Sequence, residues 1–361
     1  MMNNKGLYIH VPFCLSKCPY CDFYSVGYTK ERAEEYKNAV IRNLRYYHKE
    51  YGLSFDTAYF GGGTPILLYE HIGEILHNVR LTDNAEITLE ANPCVSSEKA
   101  LKSLIDCGVN RISFGVQSLS DRELSFLGRR HTEKEAIAAI ERAYSAGFRN
   151  ISADLMLGLS GQTRETLGDS IDRLSALPIN HISAYMLKIE EGTPFSVMEL
   201  SLPDEEETAK LYLFACERLE NNGFFQYEIS NFSRKGTESR HNLKYWRSEE
   251  YLGIGPAAHS YLKGKRFSVG RDIDSFLTSD VQETVVTDDN PGGFEEYAML
   301  KLRLREGLSY SECEGFGISR DRMQNKLKAI PESYIEQDEK GIRLTPEGFL
   351  LSNTIIARLI Y

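Results

Sequence analysis

The chain has 361 residues, of which 42% are hydrophobic and 26% charged, with a formal net charge of −10. That length accommodates one large α/β domain plus a smaller one, and the composition suits a globular chain that buries a core. The acidic balance argues against a general nucleic-acid binder, and no apolar run approaches the roughly 18–20 residues of a bilayer-spanning helix.

The first apolar run, "LYIHV" (7–11), reads as a strand, and its short length, broken by His10 and Pro12, excludes a signal-peptide core. A cytoplasmic location is therefore expected, where disulfides are rare. The next residues place Cys14, Cys18 and Cys21 in a CxxxCxxC array, while Cys94, Cys107, Cys216 and Cys313 are scattered singly and read as buried thiols. A helix is predicted over 31–50, where Tyr36, Val40, Leu44 and Tyr47 recur at helical spacing. Strands follow at "DTAYF" (56–60), "EITLEAN" (86–92), "RISFGVQ" (111–117), "NISADLMLG" (150–158) and "HISAYMLKI" (181–189). Helical patterns separate them at about 69–80, 97–107, 133–146 and 164–176, with Gly108 and Gly147 in position to cap two of these. A further helix (205–222) and a strand-like "FQYEISNF" (225–232) come next, then a polar, irregular stretch. From about 290 the pattern changes to two helices flanking a short strand and turn, which predicts a small α+β, winged-helix-like C-terminal domain.

Six β-α repeats imply a parallel sheet with helical crossovers. Periodicity alone leaves open a doubly wound sheet and a full or partial (β/α) barrel. The expected division is 1–235 for the repeats, 236–285 for a linker segment and 286–361 for the C-terminal domain.

Three cysteines are one short of a tetrahedral site. A zinc site would want a fourth ligand, which His10 could supply, but the three-residue gap between the first two cysteines is unusual for zinc. A cubane [4Fe–4S] cluster needs one thiolate per iron, so three cysteines would leave one iron free for another molecule. "FGGGTP" (60–65) directly follows the second strand, and three glycines would let a ligand approach the backbone closely. Glu90 and Gln117 end the third and fourth strands, and Asp154 lies in the fifth. In a (β/α) architecture the C-terminal strand ends converge on one face, so cysteines, glycines, Glu90 and Gln117 all map there.

These motifs resemble the radical S-adenosylmethionine (SAM) superfamily, and within it the branch of oxygen-independent coproporphyrinogen III oxidase. "YIHVPFC", "GGGTP", "LEANP", "RISFGVQS", "RRHT" and "DLMLGLSGQT" carry the resemblance over nearly the whole chain, with Ser160 where the family usually has proline. The resemblance implies a partial (β/α)6 TIM-like barrel, a [4Fe–4S] cluster on Cys14, Cys18 and Cys21, and SAM on the open iron. It also implies Tyr8 and Tyr20 beside cluster and SAM, Gly62, Gly63 and Thr64 at the methionine end, and Glu90, Gln117, Arg129 and Asp154 as further SAM contacts. By charge, Arg129 suits the SAM carboxylate, and Glu90 or Asp154 the ribose hydroxyls.

The oxidases of this branch carry a fourth cysteine two residues past the third, where this chain has Phe23, and an N-terminal extension that this chain lacks. "HNLKYW" (241–246) is similar to the HNxxYW motif of HemW-type heme chaperones. His241 would supply an axial imidazole, and Tyr245 and Trp246 flat faces for the macrocycle. His259 is a second candidate ligand or pocket residue, His131 is expected on an electropositive rim beside Arg129 and Arg130, and His10 is expected to be a packed strand residue. The expected function is a heme chaperone delivering heme to apoproteins such as membrane respiratory enzymes, as a monomer or homodimer. The competing reading is oxidative decarboxylation of coproporphyrinogen III by SAM radical chemistry in porphyrin biosynthesis.

Overall fold

The computed structural model describes residues 5–360. Strands β1 (Lys5–Val11), β2 (Phe55–Gly62), β3 (Leu81–Ala91), β4 (Arg111–Gln117), β5 (Asn150–Leu157) and β6 (His181–Met186) lie side by side in sequence order. Every adjacent pair among them is parallel. A doubly wound sheet reverses its strand order at a switch point, and this one does not. With crossovers of one hand and no reversal, the connecting helices stack on one side and the sheet curls into a partial barrel. Those helices are α1 (Lys30–Tyr51), α2 (Tyr69–His77), α3 (Glu98–Asp106), α4 (Glu133–Ala146), α5 (Arg164–Ser175) and α6 (Glu205–Asn221).

The period-2 alternation of the strands decides which side chains meet the helices. On β1 to β5, Leu7, Ile9, Ala58, Phe60, Ile87, Leu89, Ile112, Phe114, Ile151 and Ala153 are buried in the single large hydrophobic core under the helices. The intervening positions face the barrel interior and are mostly polar: Tyr59, Glu90, Ser113 and Asp154, with Ser183 from β6, line its cavity. Helix α4 starts at a capping box of Thr132 and Glu135 and ends at Gly147 with φ 120°, a left-handed cap as its glycine predicts.

The sheet continues past both ends of the barrel. Beyond β6, strand β8 (Asn231–Ser233) pairs antiparallel with it, and β7 (Phe225–Glu228) pairs antiparallel with β8 at the sheet edge. The segment expected as a linker does more than connect. It folds into helix α7 (Arg240–Trp246) and strand β9 (Tyr251–Ile254), which pairs parallel with β1. The meander of β10 (His259–Leu262), β11 (Lys265–Val269) and β12 (Thr284–Asp288) then completes a twelve-stranded sheet. Gly253 lies within β9, where a Cβ would stand 2.1 Å from the His259 carbonyl oxygen. The last part of the chain carries helices Phe294–Lys301, Tyr310–Gly315, Arg320–Leu327, Pro346–Leu350 and Ser352–Ile360 beside a three-stranded antiparallel sheet. No helix among the described residues is long and apolar enough to cross a membrane.

Candidate functional site: a cavity at the strand C-termini

A cavity of about 510 Å³ opens at the C-terminal ends of the barrel strands. The loop after β1 brings Cys14, Cys18, Tyr20 and Cys21 to one wall, and Gly62, Gly63 and Thr64 after β2 form the adjoining one. Glu90, Gln117 and Asp154 come from β3, β4 and β5, and Arg129 from the segment after β4. Of the residues expected at cluster and SAM, Tyr8 alone stands back from this lining. Its hydroxyl bonds to His10 Nδ1 at 3.0 Å, and its ring would touch any Cβ on Gly61. The sixth strand is shorter than expected: Leu187, Lys188 and Ile189 leave the sheet, and the first two reach the cavity mouth.

A hydrogen-bonded chain joins two of the cysteines. Arg129 Nη1 approaches Cys18 Sγ at 3.7 Å, while its Nη2 donates to Asn92 Oδ1 at 2.7 Å and to the Gly115 carbonyl at 2.6 Å. Asn92 Nδ2 donates to Thr64 Oγ1 at 3.0 Å, and Thr64 Oγ1 lies 3.5 Å from Cys14 Sγ. Sequence reasoning missed Asn92, although it sits inside the quoted "LEANP". It also missed Tyr185, whose hydroxyl donates to Gln117 Oε1 at 2.8 Å. Gln117 holds φ 69°, a left-handed backbone uncommon outside glycine, which turns the chain out of β4 into the cavity.

The two carboxylates are held differently from surface acids. Glu90 Oε1 accepts from the Tyr59 hydroxyl at 2.8 Å and Oε2 from the Gly62 N–H at 3.1 Å. Burial, and then the nearby Asp154 charge, push its pKa up to about 7. Burial likewise lifts Asp154 to about 6, against the hydrogen bonds from Ser183 and Ser113. Cavity walls with perturbed carboxyls and a buried guanidinium are typical of ligand sites.

The glycines also have close neighbours within the protein. A Cβ on Gly62, where φ is +110°, would fall 2.7 Å from the His10 ring, and one on Gly63 would fall 2.6 Å from the Phe13 carbonyl oxygen. What approaches these two glycines so closely is the neighbouring protein, the cysteine loop above all.

Three of the four histidines singled out in the sequence differ from expectation. His131 is buried and donates from Nε2 to the Val116 carbonyl at 3.1 Å; burial and Arg129 lower its pKa to about 4, so it adds no charge to a rim. His10 Nε2 donates to the Tyr24 carbonyl at 3.0 Å, as a packed strand residue should. His259 is exposed at the start of β10, outside the cavity lining. His241, expected as an axial heme ligand, is only 1% exposed, under the barrel. Its Nδ1 bonds to Thr57 Oγ1 and its Nε2 to the Tyr245 hydroxyl, both at 2.8 Å. As folded it has no nitrogen free for iron, and burial lowers its pKa to about 3. Tyr245 also lines an outer groove of about 760 Å³, and Trp246 faces the Arg303 guanidinium at 6.0 Å.

Comparison with known proteins follows the same lines. The model of the radical SAM superfamily matches residues 8–174. The chain is 38% identical to the heme chaperone HemW of Bacillus subtilis (strain 168), over 99% of each chain. It is 33% identical to the heme chaperone HemW of Lactococcus lactis, over 99% of this chain and 97% of that one. The chain belongs to the HemW family. Among solved structures, the coproporphyrinogen III oxidase HemN of Escherichia coli, a radical SAM enzyme by its description, superposes with a TM-score of 0.81. At 20% identity, over 99% of this chain and 90% of that one, it shows the shared fold alone.

A HemW-family chain is a radical SAM protein, which brings a [4Fe–4S] cluster and SAM as cofactors. The cavity fits them. Its wall offers three soft thiols on one loop, the donor set iron–sulfur clusters take. Among the described residues no group of three His, Cys, Asp or Glu side chains is gathered to hold a single metal ion. The remaining walls offer Arg129, Glu90 and Asp154 to a charged nucleoside-sized ligand.

Proposed function

We propose that this protein is a heme chaperone: it holds a [4Fe–4S] cluster on Cys14, Cys18 and Cys21, SAM among Gly62, Gly63, Thr64, Glu90, Gln117, Arg129 and Asp154, and heme for transfer to apoproteins. The observation that carries the reading is the similarity to heme chaperones named HemW along the whole chain, from the cysteine loop through the HNxxYW segment to the C-terminus. Phe23 supports it: it stands where the oxidases have their fourth cysteine, 60% exposed at the cavity mouth. Membrane respiratory enzymes in contact with the cytoplasm are the proposed recipients. Heme uptake is assigned to the chain rather than to His241, whose two nitrogens are already bonded.

An anaerobic heme titration of the cluster-reconstituted protein, followed at the Soret band, tests this. Stoichiometric uptake followed by transfer to an apoprotein is expected. Absence of specific uptake would refute it and turn attention to coproporphyrinogen turnover with SAM, which the complete set of cavity side chains keeps in view.

A further inference from the structure

The HNxxYW helix lies against the barrel strands whose far ends form the SAM cavity. Helix α7 is tied to β3 through Glu86, whose Oε1 accepts from the His241 N–H at 3.1 Å and Oε2 from the Arg240 N–H at 3.3 Å. It is tied to β2 through Lys244, which pairs with Asp56 at 2.9 Å. The imidazole of His241 then fills the floor of the barrel. Thr57 bonds its Nδ1, Tyr245 its Nε2, and its ring stacks on Tyr59 with centroids 5.2 Å apart and planes 28° from parallel. Thr57 and Tyr59 are two residues apart on β2 and so project to the same side. Tyr59 reaches up from that stack to Glu90, donating its hydroxyl at 2.8 Å, and Tyr8 flanks it on the other strand with ring centroids 6.2 Å apart.

We infer that the HNxxYW motif serves the SAM cavity from below, with His241 a positioning residue that holds Tyr59 and, through it, the Glu90 carboxylate. This rests on the reading that the cavity takes SAM. An imidazole suits the place because one face and both nitrogens are used. A ring of that size supports the tyrosine, and its two nitrogens satisfy the buried Thr57 and Tyr245 hydroxyls, which would otherwise be costly to bury. Removing it leaves Tyr59 free to sink away from Glu90, whose only other described hydrogen-bond donor is the Gly62 N–H.

The test uses the anaerobically reconstituted full chain as wild type, His241→Ala, Tyr59→Phe and the double variant, each titrated with SAM and separately with heme. His241→Ala is expected to weaken SAM binding about tenfold, as loss of a hydrogen bond to a charged group does, with heme stoichiometry retained. Tyr59→Phe should produce a similar loss, and the double variant little more than either single one, because both act on the same contact. Loss of heme with unchanged SAM affinity would overturn the inference and return the motif to heme ligation. Additive losses in the double variant would also overturn it, since a plug acting only through general stability does not route through Tyr59. If His241→Ala does not fold, His241→Gln replaces it and is judged by the same additivity. A wild type that binds no SAM at all would instead bring down the reading of the cavity, an outcome separate from an unaffected His241 variant.

Discussion

Gly63→Ala adds one methyl group at the point where two loops touch. The Gly63 N–H donates to the Val11 carbonyl at 2.8 Å, which fixes its backbone beside the cysteine loop. An added Cβ would lie 2.6 Å from the Phe13 carbonyl oxygen and 3.0 Å from the Phe13 carbonyl carbon and nitrogen. These are backbone atoms, so no side chain can swing aside to relieve the overlap. The Phe13 ring cannot give way either: it is fully buried, edge-on to Tyr28 at 6.0 Å and Tyr36 at 5.5 Å. Relief must come from the chain that continues into Cys14. Overpacking of this kind costs about 1–3 kcal/mol, against about 0.4–1 kcal/mol gained by restricting the unfolded chain. A net loss of about 1–2 kcal/mol is expected, seen as a lower urea midpoint of the metal-free protein, with poorer iron and sulfide retention after reconstitution. Gly27→Ala is the control, because Gly27 pairs with Cys14 on the same loop but its Cβ would meet nothing within 4 Å. A metal-free midpoint equal to wild type, with full iron loading, would refute the reasoning, since it would mean that the two loops are not in contact as described.

Cys18→Ser should leave the chain deficient in iron; a full [4Fe–4S] absorption spectrum in that variant would remove Cys18 from the ligand set. Asn92→Ala should speed iron loss to a chelator severalfold, since Arg129 and Thr64 lose their shared partner; an unchanged rate would confine the Cys14–Cys18 chain to packing. Glu90→Gln tests the raised carboxyl. The folded chain keeps Glu90 protonated up to about pH 7, against 4.5 ordinarily, so folding takes up a proton between those values. Its contribution to stability therefore falls as pH rises through that window. The variant should gain thermal stability relative to wild type between pH 5 and 8, and a constant difference across that range would contradict the assignment.

How much of this was legible in the sequence depended on the length of the elements. Strand alternation in "NISADLMLG" and its five companions was long enough to place apolar residues under the helices and Glu90 and Gln117 at one end. Once the strands run parallel, the ends must converge, and Cys14, Thr64 and Glu90 do line one cavity. The barrel floor was not legible for the opposite reason. Helix α7 has seven residues and β9 four, too few for either periodicity to register. The burial of His241 depends on contacts with Thr57 and Glu86, 184 and 155 residues away along the chain. Resemblance of "HNLKYW" to the HNxxYW motif of heme chaperones pointed instead to a flat ligand. The glycine run was legible in part: sequence tells that something comes close at Gly63, and only the fold tells that Phe13 does.

The same geometry changes how a variant of the HNxxYW segment has to be interpreted. His241 touches Tyr59 and is tied to Glu86, and these residues lie on β2 and β3, whose C-terminal ends carry Gly62 and Glu90. Under the proposed reading, a substitution at His241 acts first on strands that carry the cavity proposed for SAM, and a heme ligand would feel it in the second place. If heme binding is coupled to SAM or to the cluster, loss of heme in such a variant follows even when no atom of His241 meets the iron. Heme loss alone therefore cannot identify His241 as the axial ligand. Only a variant that keeps wild-type SAM affinity and still loses the Soret signature would do so. The hydrogen bonds at 2.8 Å on both ring nitrogens make that the less expected result.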